Sequence, residues 1–422
     1  MSSETRPKVL YIVYWGAAEP LGQSLVLPAV KRLADLGADL TLVTFEKPAD
    51  LAREDEIARI RAGLENKNIR WIPLRYHKQP KVPATAFDCL QGFARSIFSQ
   101  MGHRPDIIHA RTFVGGLMGL ALASVLRSKL VYHNEGFYPD EQVDSGVWKL
   151  NSAPHRFAKF LERQLYSRAD AVIALSNKAR SAIEALPAVR RNNAPVIVVP
   201  SCVDLNHFRW KPAVPRASDD PLRLVYVGSV GGRYSLEGIG GFSAALAREV
   251  GSVRLRVLTK SDPELAASML KASGLARDAW SVDSVPYQSM PEALSHQSVG
   301  VHFLPRGLSE HGGSPTKIGE YWAMGLPVVT TPNVSDTDEI IRRERVGVIV
   351  EGHSDDAYRR AARELRSLLE ESDLAHRCRL AAKTHYDLEA SCEKQLTLYC
   401  HLTSPASSKA VPNKSEVGDT WK

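Results

Sequence analysis

Lys317 and Glu320 stand three residues apart in the run GGSPTKIGEYWAMGLPVVTT at 312–331, just behind Gly312 and Gly313. On a helix that spacing puts an ammonium and a carboxylate on one face. Ser314 is placed to cap such a helix, with Pro315 at its first position. Two chemistries fit. One is a capped helix carrying a surface ion pair. In the other, the helix N-terminus with Ser314, Thr316 and Lys317 cradles a diphosphate, while Glu320 accepts two hydroxyl hydrogen bonds of the kind a ribose supplies.

A second run, VGGRYSLEGIGG at 230–241, has related logic. Gly231 and Gly232 let the backbone approach a ligand, and Arg233 adds a charge suited to a diphosphate. Glycine turns also join strands to helices with no ligand at all, so both readings stand. There is no G-x-x-x-x-G-K-[ST] motif, and no G-x-G-x-x-G follows the first strand, which disfavours triphosphate-binding P-loops and NAD. His133 ends KLVYHN, where it either meets a ligand or sits satisfied at a strand end, and His109 in IIHAR reads as structural. The Asp-x-Asp of SDTDEII at 335–341 resembles a metal site, but Asp336 with Glu339 reads better as a capping box. Five scattered cysteines, never in a Cys-x-x-Cys pair, argue against zinc and against a disulfide framework.

Residues so placed need strands to carry them. Short apolar runs at 8–15, 39–45, 70–74, 106–110, 129–134, 171–176 and 195–200 alternate with helical patterns near 24–37, 54–66 and 86–101. Continuously apolar strands separated by helices predict a parallel sheet covered on both faces. A proline-rich break at 209–221 reads as a linker. A second alternation follows, with strands at 222–229, 253–259, 299–305, 326–331 and 346–351 and helices near 356–372 and 387–402. The fold class is therefore α/β, with two doubly wound, Rossmann-like domains expected to face each other across a cleft. The expected divisions are 1–208, the linker 209–221, 222–386, a helix at 387–402 returning to the first domain, and a disordered tail at 403–422.

At 44% hydrophobic and 24% charged, the 422 residues have the usage of a globular protein, long enough for two domains. No apolar run reaches the roughly 18 residues that cross a bilayer, and the N-terminus carries no secretory pattern, so a cytoplasmic protein is expected. Residues 1–210 hold 28 Lys and Arg against 20 Asp and Glu, while the remainder holds 26 against 27. The basic excess in the first half is either a set of solvated faces or a surface for an anionic partner, such as the inner membrane leaflet or a phosphorylated acceptor. No nucleic-acid module is present, so nucleic acid is not an expected partner.

The run SPTKIGEYWAMGLPVV resembles the donor-binding signature of family 4-type retaining glycosyltransferases of the GT-B fold. Further stretches resemble a bacterial, polysaccharide-building branch of that family in the same order: EPLGQSLVLPAVKRLADLG (19–37), DIIHAR (106–111), EGFYPDEQVDSGVW (135–148), VVPSCVDLNHF (198–208) and LVYVGSVGGRY (224–234). The resemblance covers residues 8–400. It implies transfer of a sugar from a nucleotide-sugar donor to a sugar or lipid-linked acceptor, with no metal or other cofactor. Glu320 matches the second glutamate of the family's paired motif and would bind the donor ribose. His133 matches a histidine placed near the transferred sugar and counts as the catalytic candidate. Glu19, Gln23 and Ser24 fall in the loop where such enzymes admit the acceptor, and Arg111 with YHKQPK (76–81) would meet an anionic lipid carrier. The chain departs from the pattern twice. Gly312 stands where the first glutamate belongs, leaving Glu310, Gly312 and Gly313 as the donor-sugar candidates, and Ser229 replaces the arginine after Gly228. The same fold also serves sugar-nucleotide 2-epimerases, and the two departures would suit a non-catalytic partner subunit.

Overall fold

The computed structural model describes residues 6–210, 220–231, 234, 236–304, 307–309 and 312–404. They fall into two compact units. The first contains the chain through Pro139, Trp148–Pro200 and the helix Leu388–Thr403; the second contains Asp140–Val147 and Ser201–Asp387.

In the first unit the strands are β1 (Lys8–Val13), β2 (Asp39–Glu46), β3 (Arg70–Arg75), β4 (Ile107–Arg111), β5 (Lys129–His133), β6 (Ala171–Ala174) and β7 (Val196–Val198). They pair in parallel in the order β3-β2-β1-β4-β5-β6-β7. The second unit carries β8 (Leu222–Val227), β9 (Val253–Leu258), β10 (Trp280–Asp283), β11 (Val299–His302), β12 (Val328–Thr330) and β13 (Gly347–Ile349), parallel in the order β10-β9-β8-β11-β12-β13. Chain direction across each sheet reverses once, between β1 and β4 in the first and between β8 and β11 in the second. Ligands of doubly wound sheets bind beyond the carboxyl ends of the strands at such switch points.

The apolar stretch at 115–126 shows how this packing uses sequence. It lies in the helix Phe113–Leu126, whose start is capped by the Thr112 hydroxyl accepting from Gly115 N. Its glycines let the helix sink onto the sheet: a Cβ on Gly116 would lie 2.7 Å from the Tyr132 ring, and one on Gly119 would lie 2.5 Å from Ala110 Cβ. The helix is apolar on most sides because the sheet and neighbouring helices cover it. No helix among the described residues is long and apolar enough to cross a membrane.

Three local features differ from the expectation. The helix read at 24–37 opens as a π-helical turn, Gly22–Val26, before the α-helix Leu27–Asp35. The amphipathic helix begins at Lys81, five residues early. The edge strand β10 was not legible, being short and alternately exposed, with Trp280 alone well buried. Residues 211–219 of the expected linker and 405–422 of the expected tail lie outside the described residues. The helix Leu388–Thr403 packs within the first unit on Leu27–Asp35, bringing Cys392 Sγ 3.7 Å from Ala29 O.

Because the helix Phe113–Leu126 has no room above Ala110, Gly119→Val should destabilise the first unit by about 2–3 kcal/mol. Thermal unfolding checks this; an unchanged melting temperature would refute the close approach.

Candidate active site

In the second unit β8 delivers its backbone to Gly228, which has φ +143°. A Cβ there would lie 2.5 Å from Lys317 Nζ and 3.4 Å from the Tyr226 hydroxyl, so the lysine occupies the space a side chain would need. Lys317 comes from the helix Thr316–Ala323, and its Nζ sits 4.9 Å from the ring centroids of both Tyr226 and Tyr234, a two-sided cation–π arrangement. Glu320 follows one turn later and is buried.

Neither charged group has a hydrogen bond or ion pair to a described residue. The energetics follow from that. Burial pushes the Lys317 ammonium down to about 8, with Glu320 acting against the shift. Burial likewise pushes the Glu320 carboxyl up to about 7, with Lys317 acting against it. Burial raises the Tyr287 phenol as well, and the Glu320 charge is the next contributor. A cation and an acid held near their titration points at a switch point, unpaired among the described residues, can take up an anion and a pair of hydroxyls.

Ser314 does not cap this helix. Pro315 is the N-cap residue and makes no side-chain cap, while Ser314 Oγ accepts from Ser201 N at 3.2 Å. The serine was spent on a tertiary contact that local sequence could not reveal. Thr316 is the first helical residue. The expected capping box at Asp336 is also absent: Asp336 makes no cap, and Asp338 instead accepts from Asn333 N at 2.8 Å. Gly231 has φ +87° and pairs with Tyr234 through N–H···O bonds of 3.1 and 3.2 Å. Gly232, Arg233 and Glu310 lie outside the described residues. Gly312 is buried and donates to Ser309 O at 2.9 Å, whereas a Cβ on Gly313 would meet nothing within 4 Å. Asp144, from the short segment assigned to this unit, fixes the preceding loop by accepting from Leu308 N, Ser309 N and Ser309 Oγ at 2.9, 2.8 and 2.6 Å.

The first unit gathers a different set at its switch point. Register places Tyr11 beside His109 and Arg111 beside His133. The Tyr11 ring stacks on His109 at 4.2 Å and 14°. Arg111 donates from Nε to Glu135 Oε1 at 2.5 Å and from Nη1 to the Tyr11 hydroxyl at 3.2 Å. Burial opposes the guanidinium's charge, but Glu135 and Tyr11 outweigh it and hold Arg111 firmly protonated. Its charge is thus paired inside the unit, where the expectation had it meeting an anionic carrier. Burial first, and the Arg111 charge second, drive His109 and His133 well below the usual histidine range. Both are neutral at physiological pH.

Neutral histidines need assigned tautomers. His109 Nδ1 lies 2.5 Å from the Tyr399 hydroxyl, and His109 Nε2 lies 3.0 Å from His133 Nδ1. A phenol donates more readily than it accepts, so Tyr399 protonates neither ring but donates to His109 Nδ1. His109 Nε2–H then donates to His133 Nδ1, and the remaining proton of His133 sits on Nε2. That atom is buried with no hydrogen-bond partner, and lies 3.6 Å from Glu135 Oε1, a carboxylate that also favours N–H there. His133 thus presents one fixed donor. His109, read as structural, is the link that sets it.

The first loop is built on an acid that sequence reading missed. Glu46, fully buried at the end of β2, accepts from Ala17 N at 2.7 Å, Ala18 N at 3.3 Å and Thr44 Oγ1 at 2.6 Å. Glu19 accepts from Gly16 N at 3.2 Å and pairs with Lys47 at 2.5 Å. Gln23 is buried, donating to Ala18 O at 3.0 Å and Glu56 Oε1 at 2.6 Å, so it braces the loop and does not face an acceptor. Ser24 is buried in the π-helical turn.

Comparison with known proteins agrees with this architecture. Residues 23–202 match the Glycosyl transferase 4-like domain model and residues 221–368 the Glycosyl transferases group 1 model. The chain is a glycosyltransferase with the GT-B fold of two Rossmann-like domains. Sucrose-phosphate synthase from Thermosynechococcus elongatus has the same fold at 18% identity and a TM-score of 0.67, over 94% of this chain and 99% of that one. Anabaena Alr3699/HepE in complex with UDP follows at 14% and 0.64, over 93% and 99%. WaaG, a glycosyltransferase involved in lipopolysaccharide biosynthesis, gives 16% and 0.63, over 93% and 99%. At such identities the likeness shows the fold alone. Sequence comparison with curated proteins returned no match.

Tyr399→Phe should leave the fold intact but free the His109 tautomer. Nitrogen-15 NMR of labelled histidines should show His133 protonated on Nε2 in the wild type and a mixed population in the variant. Protonation of wild-type His133 on Nδ1 would refute the relay.

Proposed function

We propose that this glycosyltransferase moves a sugar from a nucleoside diphosphate to an acceptor hydroxyl with retention of anomeric configuration, in the assembly of a bacterial cell-surface polysaccharide or glycolipid. The observation that carries the reading is the Lys317–Glu320 pair, buried, without a hydrogen bond or ion pair to a described residue, and near titration at the switch point of the second sheet. The UDP bound by the HepE neighbour and the lipopolysaccharide role of WaaG support the choice of donor and setting.

In this reading the bond from the sugar's anomeric carbon to the diphosphate breaks, and a bond to the acceptor oxygen forms on the same face. The acceptor's proton leaves with the diphosphate. No protein nucleophile takes part, so the residues position substrates and stabilise the leaving group. Lys317, the glycine loop at Gly231 and Gly232, Arg233 and the N-terminus at Ser314–Thr316 hold the diphosphate. Glu320 accepts from the ribose hydroxyls. His133 Nε2–H donates to the sugar, with Gly312, Gly313 and Glu310 at the sugar end. Glu19 lies in the acceptor loop. The scheme routes the developing charge to these cations and amides, with no metal. The acceptor is read as lipid-linked, at the cytoplasmic face of the plasma membrane.

Proton linkage gives this site a signature. A bound diphosphate favours the charged ammonium, so Lys317 is raised above its free value of about 8 and affinity falls as pH rises past that point. Ribose hydroxyls favour the carboxylate, so Glu320 drops below its free value of about 7 and affinity falls as pH decreases below it. Calorimetric titration with UDP and a panel of nucleotide sugars should therefore give an optimum between these limits, with up to about tenfold loss per pH unit on either side.

Glu320→Ala should weaken donor binding about 10- to 100-fold with the fold unchanged, as expected for lost hydrogen bonds to a charged group. Slow release of nucleotide diphosphate from one sugar donor, unaffected by EDTA, supports transfer. Interconversion of the sugar would instead identify an epimerase. Unchanged donor affinity in Glu320→Ala would overturn the site.

A further inference from the structure

The helix Lys81–Ser99 is amphipathic in the wrong direction for a helix facing water. Its buried line is Ala84, Asp88, Gly92 and Ser96, small or polar at every position. Its outward residues include Val82 at 78% exposed, Phe87 at 52%, Leu90 at 67% and Phe98 at 68%, and Met101 just beyond the helix is 73% exposed. At 100° per residue these positions, with Ala86, Ala94 and Ile97 between them, fall within a single arc that holds no polar side chain.

The inward face is specified and not loosely packed. Asp88 accepts from the Tyr14 hydroxyl at 2.9 Å and His77 N at 3.0 Å, with His77 Nδ1 at 2.5 Å. A Cβ on Gly92 would lie 2.7 Å from Met118 Sδ and 2.8 Å from Phe45. Rotating the helix to hide its apolar arc would break these contacts, so the arc is held outward.

Charge selects what covers it. Across residues 76–104 Asp88 is the lone acid, and it is buried. Lys78, Lys81, Arg95 and Arg104, carried by the helix and its flanking residues, are all exposed. A second copy of the chain would bring the same cations against one another, whereas an anionic lipid surface suits an apolar arc on a segment with exposed cations and no exposed acid. We propose that the helix Lys81–Ser99 lies flat in the headgroup region of an anionic membrane, with Val82, Leu90, Phe98 and Met101 inserted. The inference rests on the lipid-acceptor reading above for what docking accomplishes, but binding is measured without substrate.

The test is co-sedimentation of the full chain with phosphatidylcholine vesicles, with and without phosphatidylglycerol. The double variant Leu90→Glu/Phe98→Glu is compared with Leu380→Glu, which alters a comparably exposed leucine (53%) in the second unit. Wild type and Leu380→Glu should bind the anionic vesicles, less strongly as salt rises, and the double variant should lose at least tenfold in partitioning while keeping its UDP affinity. Equal binding to both vesicle types, no wild-type binding, or undiminished binding by the double variant would each overturn the proposal. So would a wild-type dimer that the double variant dissolves without any vesicle binding. Vesicle binding lost together with intact UDP binding in the wild type fails the docking alone; UDP binding lost with vesicle binding intact fails the enzymatic reading alone.

Discussion

An ammonium group buried against a bare backbone is the constraint on which the second unit depends. Lys317 reaches the end of β8 only because Gly228 has no side chain, and two tyrosine rings there replace part of its lost hydration. Glu320, one turn along the same helix, is too far for an ion pair and near enough to temper the lysine's shift. The helix and strand are locked together by Tyr321, whose hydroxyl accepts from Val227 N at 2.8 Å. Moving that helix by one residue would misplace the lysine, the acid and the tyrosine at once.

The first unit solves a different electrostatic problem. Arg111, Glu135, Tyr11, His109, His133 and Tyr399 form one connected polar group, and charge is confined to one pair. Arg111 pairs with Glu135, Tyr11 adds a further bond to the guanidinium, and burial first, with the Arg111 charge second, keeps both histidines neutral. A neutral histidine is useful here because it can offer an N–H without a second cation to desolvate. Burial also raises the Tyr11 phenol to about 12, so it donates or accepts without ionising.

Much of this was legible in the residues. Apolar strands with helical spacers gave the parallel sheets, and Lys317, Glu320 and His133 could be singled out because polar residues at strand ends have few other reasons to be there. What escaped reading depends on tertiary register. Ser314 looks like a cap in sequence, but Ser201 brings a backbone donor to it across 113 residues. Arg111 looks available until β5 places His133 beside it and the chain just beyond supplies Glu135. Tyr399 is 290 residues from His109, and no local pattern could join them. Glu46 ends an apolar strand as an ordinary polar terminus would; only the returning loop at Ala17 and Ala18 shows its use.

Two departures from ordinary folding preference remain after the local interactions are assigned, and they share a cause. A buried lysine and glutamate with no hydrogen bond or ion pair to a described residue cost stability in the free protein, and so does an apolar helical face turned to water. Asp88 and Gly92 hold the helix in its costly orientation, just as Gly228 and Tyr226 hold Lys317 in its costly position. Where the surrounding packing actively maintains an unfavourable arrangement, the compensating contact has to come from outside the chain. In the proposed roles, a nucleoside diphosphate would supply that contact for the charges and an anionic lipid surface would supply it for the helix.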